Sequence, residues 1–177
     1  YEPGYFLANP WQAVAFWDGG ASIVGGLFGA FVAAVWYLRH QQVDVWAHVD
    51  TGIFGLPLGL FIGRIGCFLI HDHPGTATDF ILGVRYPDGV VRHDLGLYES
   101  LNGLALLLVF LALSRTKPKP GTYTVVFLIW YGVTRFFFDF LRATEGPIVD
   151  ARYVGLTPAQ FVAIIMVGAG IWLSRHV

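Results

Sequence analysis

The hydrophobic positions of this chain fall into long runs separated by short polar segments. Five predominantly apolar runs are long enough to cross a membrane, at about 19–38, 45–70, 97–113, 122–141 and 157–174. About 20 apolar residues are needed for a helix to cross the hydrocarbon. We therefore predict an all-α integral membrane protein with about five transmembrane helices, and we take residues 1–177 as a single transmembrane domain.

The polar segments predict two further features. Residues 1–18 mix proline, tryptophan, tyrosine and phenylalanine, which is typical of a segment at the membrane–water boundary. Residues 71–94 form a polar excursion with turn signals at 73–75 and 87–89. The stretch FILGVRYP between these turns is rich in aromatic and β-branched residues, so we expect a small hairpin there.

Composition agrees with the membrane assignment and excludes several other classes. Hydrophobic residues make up 55% of the chain and charged residues 13%, against about 25% charged residues in soluble domains. A net charge of -1 without a dense basic stretch argues against nucleic acid as a partner. Cys67 is the only cysteine, which excludes an internal disulfide and a multi-cysteine zinc site. We expect no cofactor.

The distribution of charge predicts how the helices are oriented. If five helices alternate in direction, one side of the membrane carries Arg39, Arg115, Lys117, Lys119 and Arg175. The other side carries most of the acidic residues, namely Asp18, Asp72, Asp79, Asp88, Asp94, Glu145 and Asp150. Basic residues favour the cytoplasm. The excursion at 71–94 is therefore expected to face outward.

Two arginines within apolar runs are the main candidates for chemistry. Arg64 lies toward the outer end of its run, and Arg135 lies in the second half of another. A guanidinium stays charged and is costly in lipid, so each needs an anion or a polar cavity. Two inward arginines suit a phosphate, because their planar forks bind it bidentately. Alternatively, each is neutralised by a carboxylate; Asp139 stands at i+4 from Arg135, on the same helical face.

Other polar residues near the outer ends of the runs are candidates with more than one role. Glu99 could hold one of the arginines or act as a base. His71, Asp72 and His73 could provide a general base, an anion contact or a loop terminus. Three adjacent residues cannot all face one ion from regular structure, so we predict no metal site.

Five separated sequence blocks resemble one known family. They are WDGGASIVGG at 17–26, GRIGCF at 63–68, RHDLGLYE at 92–99, YGVTRFFFDFLR at 131–142 and GLTPAQ at 155–160. Their order and approximate spacing are similar to those of prolipoprotein diacylglyceryl transferases. The resemblance covers nearly the whole chain, and we expect the first helix of that family to be missing from it.

The resemblance implies a function, a location and partners. The family moves the diacylglyceryl group of phosphatidylglycerol onto the thiol of a lipobox cysteine in a secreted precursor, forming a thioether and releasing glycerol phosphate. The implied partners are phosphatidylglycerol, lipobox peptides of prolipoproteins and membrane lipid. The implied location is the bacterial cytoplasmic (inner) membrane, with the active site facing outward.

The resemblance also implies roles for individual residues. Arg64 and Arg135 match the arginines thought to engage the headgroup phosphate, and Glu99 matches a glutamate of the family. Asp139 stands where the family usually has glutamate. The full set for phospholipid binding is Arg64, Arg135, Asp139, Gly75, Gly25, Gly26 and Tyr98. The catalytic candidates are Arg64, Arg135, Glu99, Asp72, His71 and His73.

The chain departs from the family pattern at positions that concern proton transfer. A family histidine often proposed as catalytic is replaced by Val24, and the usual signature asparagine is Cys67. Asp72 stands for a glutamate. We therefore expect His71 or His73 to supply the imidazole that Val24 lacks. The alternative is a catalytically silent, lipid-binding relative that serves as a structural subunit of a larger membrane complex.

Overall fold

The computed structural model describes residues 23–143 and 152–177, and their architecture is mostly helical. The helices are α1 (Ile23–His40), α2 (Val45–Ile70), α3 (Leu95–Ser114), α4 (Thr122–Phe138) and α5 (Pro158–Ser174). A 3₁₀ turn, Asp139–Leu141, continues α4. The predicted helical class is confirmed. The predicted interfacial segment 1–18 lies outside the described residues, as do Glu145 and Asp150.

Three of the described helical segments are long and apolar enough to cross a membrane: Val45–Ile70, Leu95–Ser114 and Thr122–Leu141. Pro158–Ser174 is apolar but shorter. Large apolar side chains such as Ile62 and Leu69 on α2 are exposed, and a helix that is apolar on all sides suits a lipid environment. The contacts divide the chain into two compact units, Tyr1–Val45 and Trp46–Val177. Helix α1 lies in the first unit and the site described below lies in the second.

The excursion between α2 and α3 forms a small antiparallel sheet. Its strands are β1 (Pro74–Ala77), β2 (Val84–Arg85) and β3 (Val91–Asp94), in the order β1-β3-β2. Strands β2 and β3 form the predicted hairpin, with Gly89 in the turn at φ 81°. The sequence did not predict β1, which pairs with β3 through an irregular register. A four-residue strand with little apolar pattern carries almost no sequence signal.

Helices α2 and α3 approach closely along a stripe of small residues on α3. A Cβ built on Gly96 would lie 2.7 Å from the Phe68 nitrogen, and one on Gly103 would lie 2.8 Å from the Phe61 nitrogen. Between them, the Ser100 hydroxyl donates a hydrogen bond to the Phe61 carbonyl at 2.9 Å. Small residues permit such backbone approach in membranes. This approach fixes the register of α2 against α3.

A carboxylate of α2 caps the amino terminus of α4. Asp50 is buried, and its Oδ1 accepts hydrogen bonds from the Thr124 nitrogen at 2.9 Å and the Thr124 hydroxyl at 2.6 Å. Its Oδ2 accepts from the Gly121 nitrogen at 2.7 Å. These donors have no partners within their own helix, and the positive end of the helix dipole favours an anion there. Asp50 therefore joins α2 to α4 at the end of α2 opposite Arg64.

Gly103→Ala is expected to destabilise the protein by about 1–3 kcal/mol, because its methyl group would press on the backbone of α2. The matched control is Gly59→Ala on α2, where a Cβ meets nothing within 4 Å. That change should be neutral or slightly stabilising, since alanine favours helix more than glycine does. Thermal unfolding of the purified protein in detergent measures both variants. Equal unfolding temperatures for the two would contradict the close packing of α2 and α3.

Candidate functional site

The carboxylate of Glu99 joins two arginines that come from different helices. Glu99 lies on α3, where only 5% of its side chain is exposed. Its Oε2 lies 2.7 Å from the Arg64 Nε on α2, and its Oε1 accepts a hydrogen bond from the Arg135 Nη1 on α4. The sequence predicted that Glu99 could hold one of the two arginines. The structure brings both arginines to the same carboxylate.

The packing of three helices explains this convergence. Gly96 and Gly103 hold α3 against α2, so Glu99 stands opposite Arg64. On the α4 side, the Asn102 amide donates to the Thr134 hydroxyl at 3.1 Å. The Asn102 carbonyl oxygen accepts from the Trp130 indole at 2.9 Å. Asn102 lies one turn from Glu99 on α3. Its two hydrogen bonds fix the position of α4 along α3 at the level of Arg135.

A second carboxylate, Asp139, organises the carboxyl end of α4. It is fully buried, and its Oδ1 lies 3.4 Å from the Arg135 Nη2 and 3.1 Å from the Arg142 Nε. Its Oδ2 accepts a hydrogen bond from the Thr157 hydroxyl. Thr157 caps α5 in a capping box with Gln160. The start of α5 therefore positions the carboxylate that pairs with Arg135.

These contacts form a partly buried charge cluster, consisting of Arg64, Glu99, Arg135, Asp139 and Arg142. Both carboxylates are buried, whereas the three arginine side chains are 14–23% exposed. The guanidiniums of Arg64 and Arg135 are partly exposed. Their planar forks of N–H donors match the oxygens of a phosphate.

A dyad of Asp72 and His73 lies at the edge of the charge cluster. The Asp72 Oδ1 is hydrogen-bonded to the His73 Nδ1, and the His73 Nε2 lies 3.4 Å from the Arg64 Nη1. Arginine can only donate, so the His73 Nε2 accepts and the proton is assigned to Nδ1. The Arg64 Nη1 also lies 3.7 Å from the Cys67 Sγ. In this tautomer the lone pair of the His73 Nε2 faces Arg64.

His71 has different surroundings from His73. Its Nδ1 lies 3.0 Å from the Asp94 Oδ2, and its ring packs against Tyr86 with centroids 4.8 Å apart. Asp94 is fully buried, accepts from the Tyr86 hydroxyl at 2.9 Å and caps α3 through the Leu97 nitrogen at 3.0 Å. Burial, followed by the hydrogen bond to Asp94, raises the pKa of Tyr86. Asp94 therefore joins the end of α2, the hairpin and the start of α3.

Gly75 and Tyr98 lie close to residues of the cluster. A Cβ on Gly75 would lie 2.6 Å from the carbonyl oxygens of His93 and Leu141, so only glycine fits where β1 meets the chain after α4. The Tyr98 hydroxyl lies 2.8 Å from the His93 Nδ1. Tyr98 also lines an open, mainly apolar groove of about 470 Å³ with Phe80, Leu82, His93, Leu101, Asn102, Phe138 and Leu141.

Comparison with known proteins shows which family the chain is similar to. The family model of prolipoprotein diacylglyceryl transferase matches residues 1–175. The chain belongs to the prolipoprotein diacylglyceryl transferase family. The resemblance found in the sequence is therefore confirmed, and several apolar helices identify this family member as a multi-pass membrane protein.

Individual relatives carry the name phosphatidylglycerol–prolipoprotein diacylglyceryl transferase. The chain is 37% identical to that of Nitrosomonas europaea, over 99% of its own length and 66% of the relative's. Identity is 36% to that of Roseobacter denitrificans, over 99% of this chain and 69% of the relative. It is 31% to that of Ehrlichia canis, over 99% and 70%. The chain spans about two thirds of the length of these curated relatives.

The site of this diacylglyceryl transferase family member includes residues that the sequence did not single out. From the sequence, Asp94 was noted only as one of the acidic residues on one side of the membrane, and Thr157 only as part of the GLTPAQ block. Signals for both existed, since each precedes an apolar run at the N-cap position. Gly25 and Gly26 lie in α1, and the side chain of Val24 is not among those described. The roles predicted for these three positions remain predictions.

His93 is expected to make the protein less stable in acid. Burial lowers the pKa of His93 below its ordinary value near 6.5. The folded state then binds fewer protons than the unfolded state, so stability is complete above about pH 6.5 and falls below it. Unfolding temperatures at about pH 8 and pH 5 should differ more for the natural protein than for His93→Gln. An equal difference in both proteins would refute this assignment.

Proposed function

We propose that this chain transfers the diacylglyceryl group of phosphatidylglycerol to the cysteine thiol of a lipobox in a secreted precursor. Membership of the family and the printed names of the relatives support this reaction. The observation that carries the proposal is the Arg64–Glu99–Arg135 contact, which holds two guanidiniums on one buried carboxylate. We further propose the inner membrane as its location, with the charge cluster facing outward.

Arg64 and Arg135 bind the phosphate of phosphatidylglycerol in this proposal. The Arg64 Nε is close to the Glu99 Oε2, but this oxygen has no hydrogen bond of good geometry. The N–H groups of Arg64 can therefore turn toward a phosphate oxygen while the ion pair persists. Glu99 and Asp139 hold Arg135 from two sides and prevent it from turning away. The two guanidiniums then stabilise charge that develops on the leaving phosphate oxygen.

The thiol must lose its proton before it attacks carbon, because the thiolate is the nucleophile. His73 is placed for this role once Arg64 engages the phosphate, since its Nε2 then becomes available to accept the proton. Asp72 keeps the opposite nitrogen protonated. The sulfur forms a bond to the terminal glyceryl carbon, the carbon–oxygen bond to phosphate breaks, and glycerol phosphate leaves. His71, held at Asp94, is the second candidate for the base.

The test is transfer by the purified full-length protein in detergent, with phosphatidylglycerol and a lipobox peptide. Mass spectrometry of the peptide should show a thioether-linked diacylglyceryl adduct, and Arg64→Ala should abolish it. No adduct from folded protein that still retains phosphatidylglycerol would reject the transferase and favour the silent lipid-binding subunit.

The assignment of the base has its own test in the same assay. His73→Ala should lower the rate more than His71→Ala, and the loss should be smaller at high pH, where the thiol ionises unaided. Full activity after alanine replacement of both histidines would remove them from the mechanism.

A further inference from the structure

Cys67 lies in one cluster with the dyad of Asp72 and His73. One ligand atom from each residue can be chosen so that all three lie within 4.8 Å of one another. Cys67 is partly buried, His73 is partly buried and Asp72 is exposed, so the cluster can be reached from solvent. Adjacency in the sequence joins Asp72 to the two histidines, whereas only the fold places the thiol of Cys67, from the preceding helix, beside Asp72 and His73.

The backbone at the end of α2 brings these residues together. Helix α2 ends at Ile70, and His71 adopts a left-handed conformation with φ 53°. Such a residue after a helix turns the chain sharply. His71 is directed to Asp94, whereas Asp72 and His73 lie back beside the last turn of α2, where Cys67 is. The conflict expected for three adjacent ligands does not arise, because His71 is not one of the three.

We propose that Cys67, Asp72 and His73 bind a zinc ion. Thiolate, imidazole and carboxylate are the ligands that zinc takes in proteins, and three protein ligands leave a fourth position for water or an anion. Zinc–ligand distances of about 2.0–2.3 Å require the ligand atoms to approach each other by about an ångström. Rotation of the exposed Asp72 and of the His73 ring allows this. A thiol also selects zinc over magnesium or calcium, which prefer oxygen ligands.

The guanidinium of Arg64 competes with zinc for this site. Its Nη1 lies 3.7 Å from the Cys67 Sγ and 3.4 Å from the His73 Nε2, so the guanidinium lies against two of the side chains that zinc would bind. Zinc repels the guanidinium, but Arg64 keeps Glu99 as a partner through its Nε, so it can withdraw without losing its ion pair. Binding converts the Cys67 thiol to thiolate and releases its proton to solvent. Zinc affinity should therefore rise with pH.

Zinc binding is measured directly on the purified full-length protein. Competition with a chromophoric chelator should give one zinc ion per chain, and cobalt in its place should show a thiolate-to-metal charge-transfer band. Cys67→Asn should weaken zinc binding at least 30-fold and abolish the band. His176→Gln changes a histidine outside the cluster and should leave zinc affinity unchanged. A normal zinc affinity in Cys67→Asn, with its fold verified by thermal unfolding, would overturn the proposal.

A consequence for activity rests on the proposed function. Zinc bound to Asp72 and His73 removes this imidazole as a base and displaces the Nη1 end of Arg64, so stoichiometric zinc should inhibit transfer and a chelator should restore it. Cys67→Asn should resist this inhibition in the presence of the same thiol peptide. Zinc binding without any transfer by the metal-free protein would reject the transferase and leave the zinc site standing. Transfer without zinc binding would reject the zinc site alone.

Discussion

Arg135→Lys is expected to reduce diacylglyceryl transfer at least 100-fold. The guanidinium of Arg135 contacts Glu99 with one nitrogen and Asp139 with the other. A lysine ammonium is a single point charge and cannot span two carboxylates while it also presents a donor to phosphate. Removing one preorganised donor from a developing oxyanion costs about 10²–10³ in rate. The initial rate of adduct formation, at saturating phosphatidylglycerol, measures the effect.

The matched control for Arg135→Lys is Arg115→Lys, the same substitution in the turn after α3. Arg115 caps α3 through its backbone, and its side chain has no role in the charge cluster. Its rate should stay close to that of the natural protein. If Arg135→Lys retained more than a third of the natural rate, the bidentate role of Arg135 would be wrong, and a simple positive charge at this position would suffice.

Among the variants named here, Asp139→Asn is expected to lower the free energy of unfolding most, by about 3–5 kcal/mol. Asp139 is fully buried and lies beside Arg135, Arg142 and Thr157. A neutral amide removes the buried carboxylate that contacts Arg135 and Arg142, and breaking a buried ion pair in this way costs several kcal/mol. The free energy of unfolding in mixed detergent measures the change.

The control for Asp139→Asn is Asp88→Asn in the hairpin turn. Asp88 also pairs with an arginine, with its Oδ2 3.0 Å from the Arg92 Nη2, but it is exposed to solvent. Exposed ion pairs contribute little to stability, so the free energy of unfolding of this variant should equal that of the natural protein. If the two aspartate variants were equally stable, the buried ion pairs of Asp139 would contribute no more to stability than the exposed pair of Asp88.

Some features of the site could be predicted from the sequence because their cause is local. Arginine in an apolar run is costly whatever the fold, so Arg64 and Arg135 could be singled out in advance. The i+4 spacing of Asp139 from Arg135 predicted their contact, which the structure contains at 3.4 Å. The turn residues Pro87, Asp88 and Gly89 predicted the hairpin for the same local reason.

Other features could not be predicted because they depend on which helices are neighbours. Nothing local indicates that Glu99 meets both arginines, since this follows from the approach of α3 to α2 and α4. Likewise, Asp50 caps a helix more than 70 residues away along the chain. The different partners of His71 and His73 follow from one left-handed residue, a conformation that histidine adopts too rarely to be predicted from the sequence.

The sequence by itself determined that this protein is a helical membrane protein of the prolipoprotein diacylglyceryl transferase family, and that it carries two arginines in apolar runs. Hydrophobic length, residue charge and motif order are properties of the chain alone. Only the tertiary structure decided which carboxylate holds those arginines, which histidine faces Arg64 and which residues accompany Cys67. These contacts depend on backbone approach at small residues and on one turn of the chain, both of which require the helices to be packed.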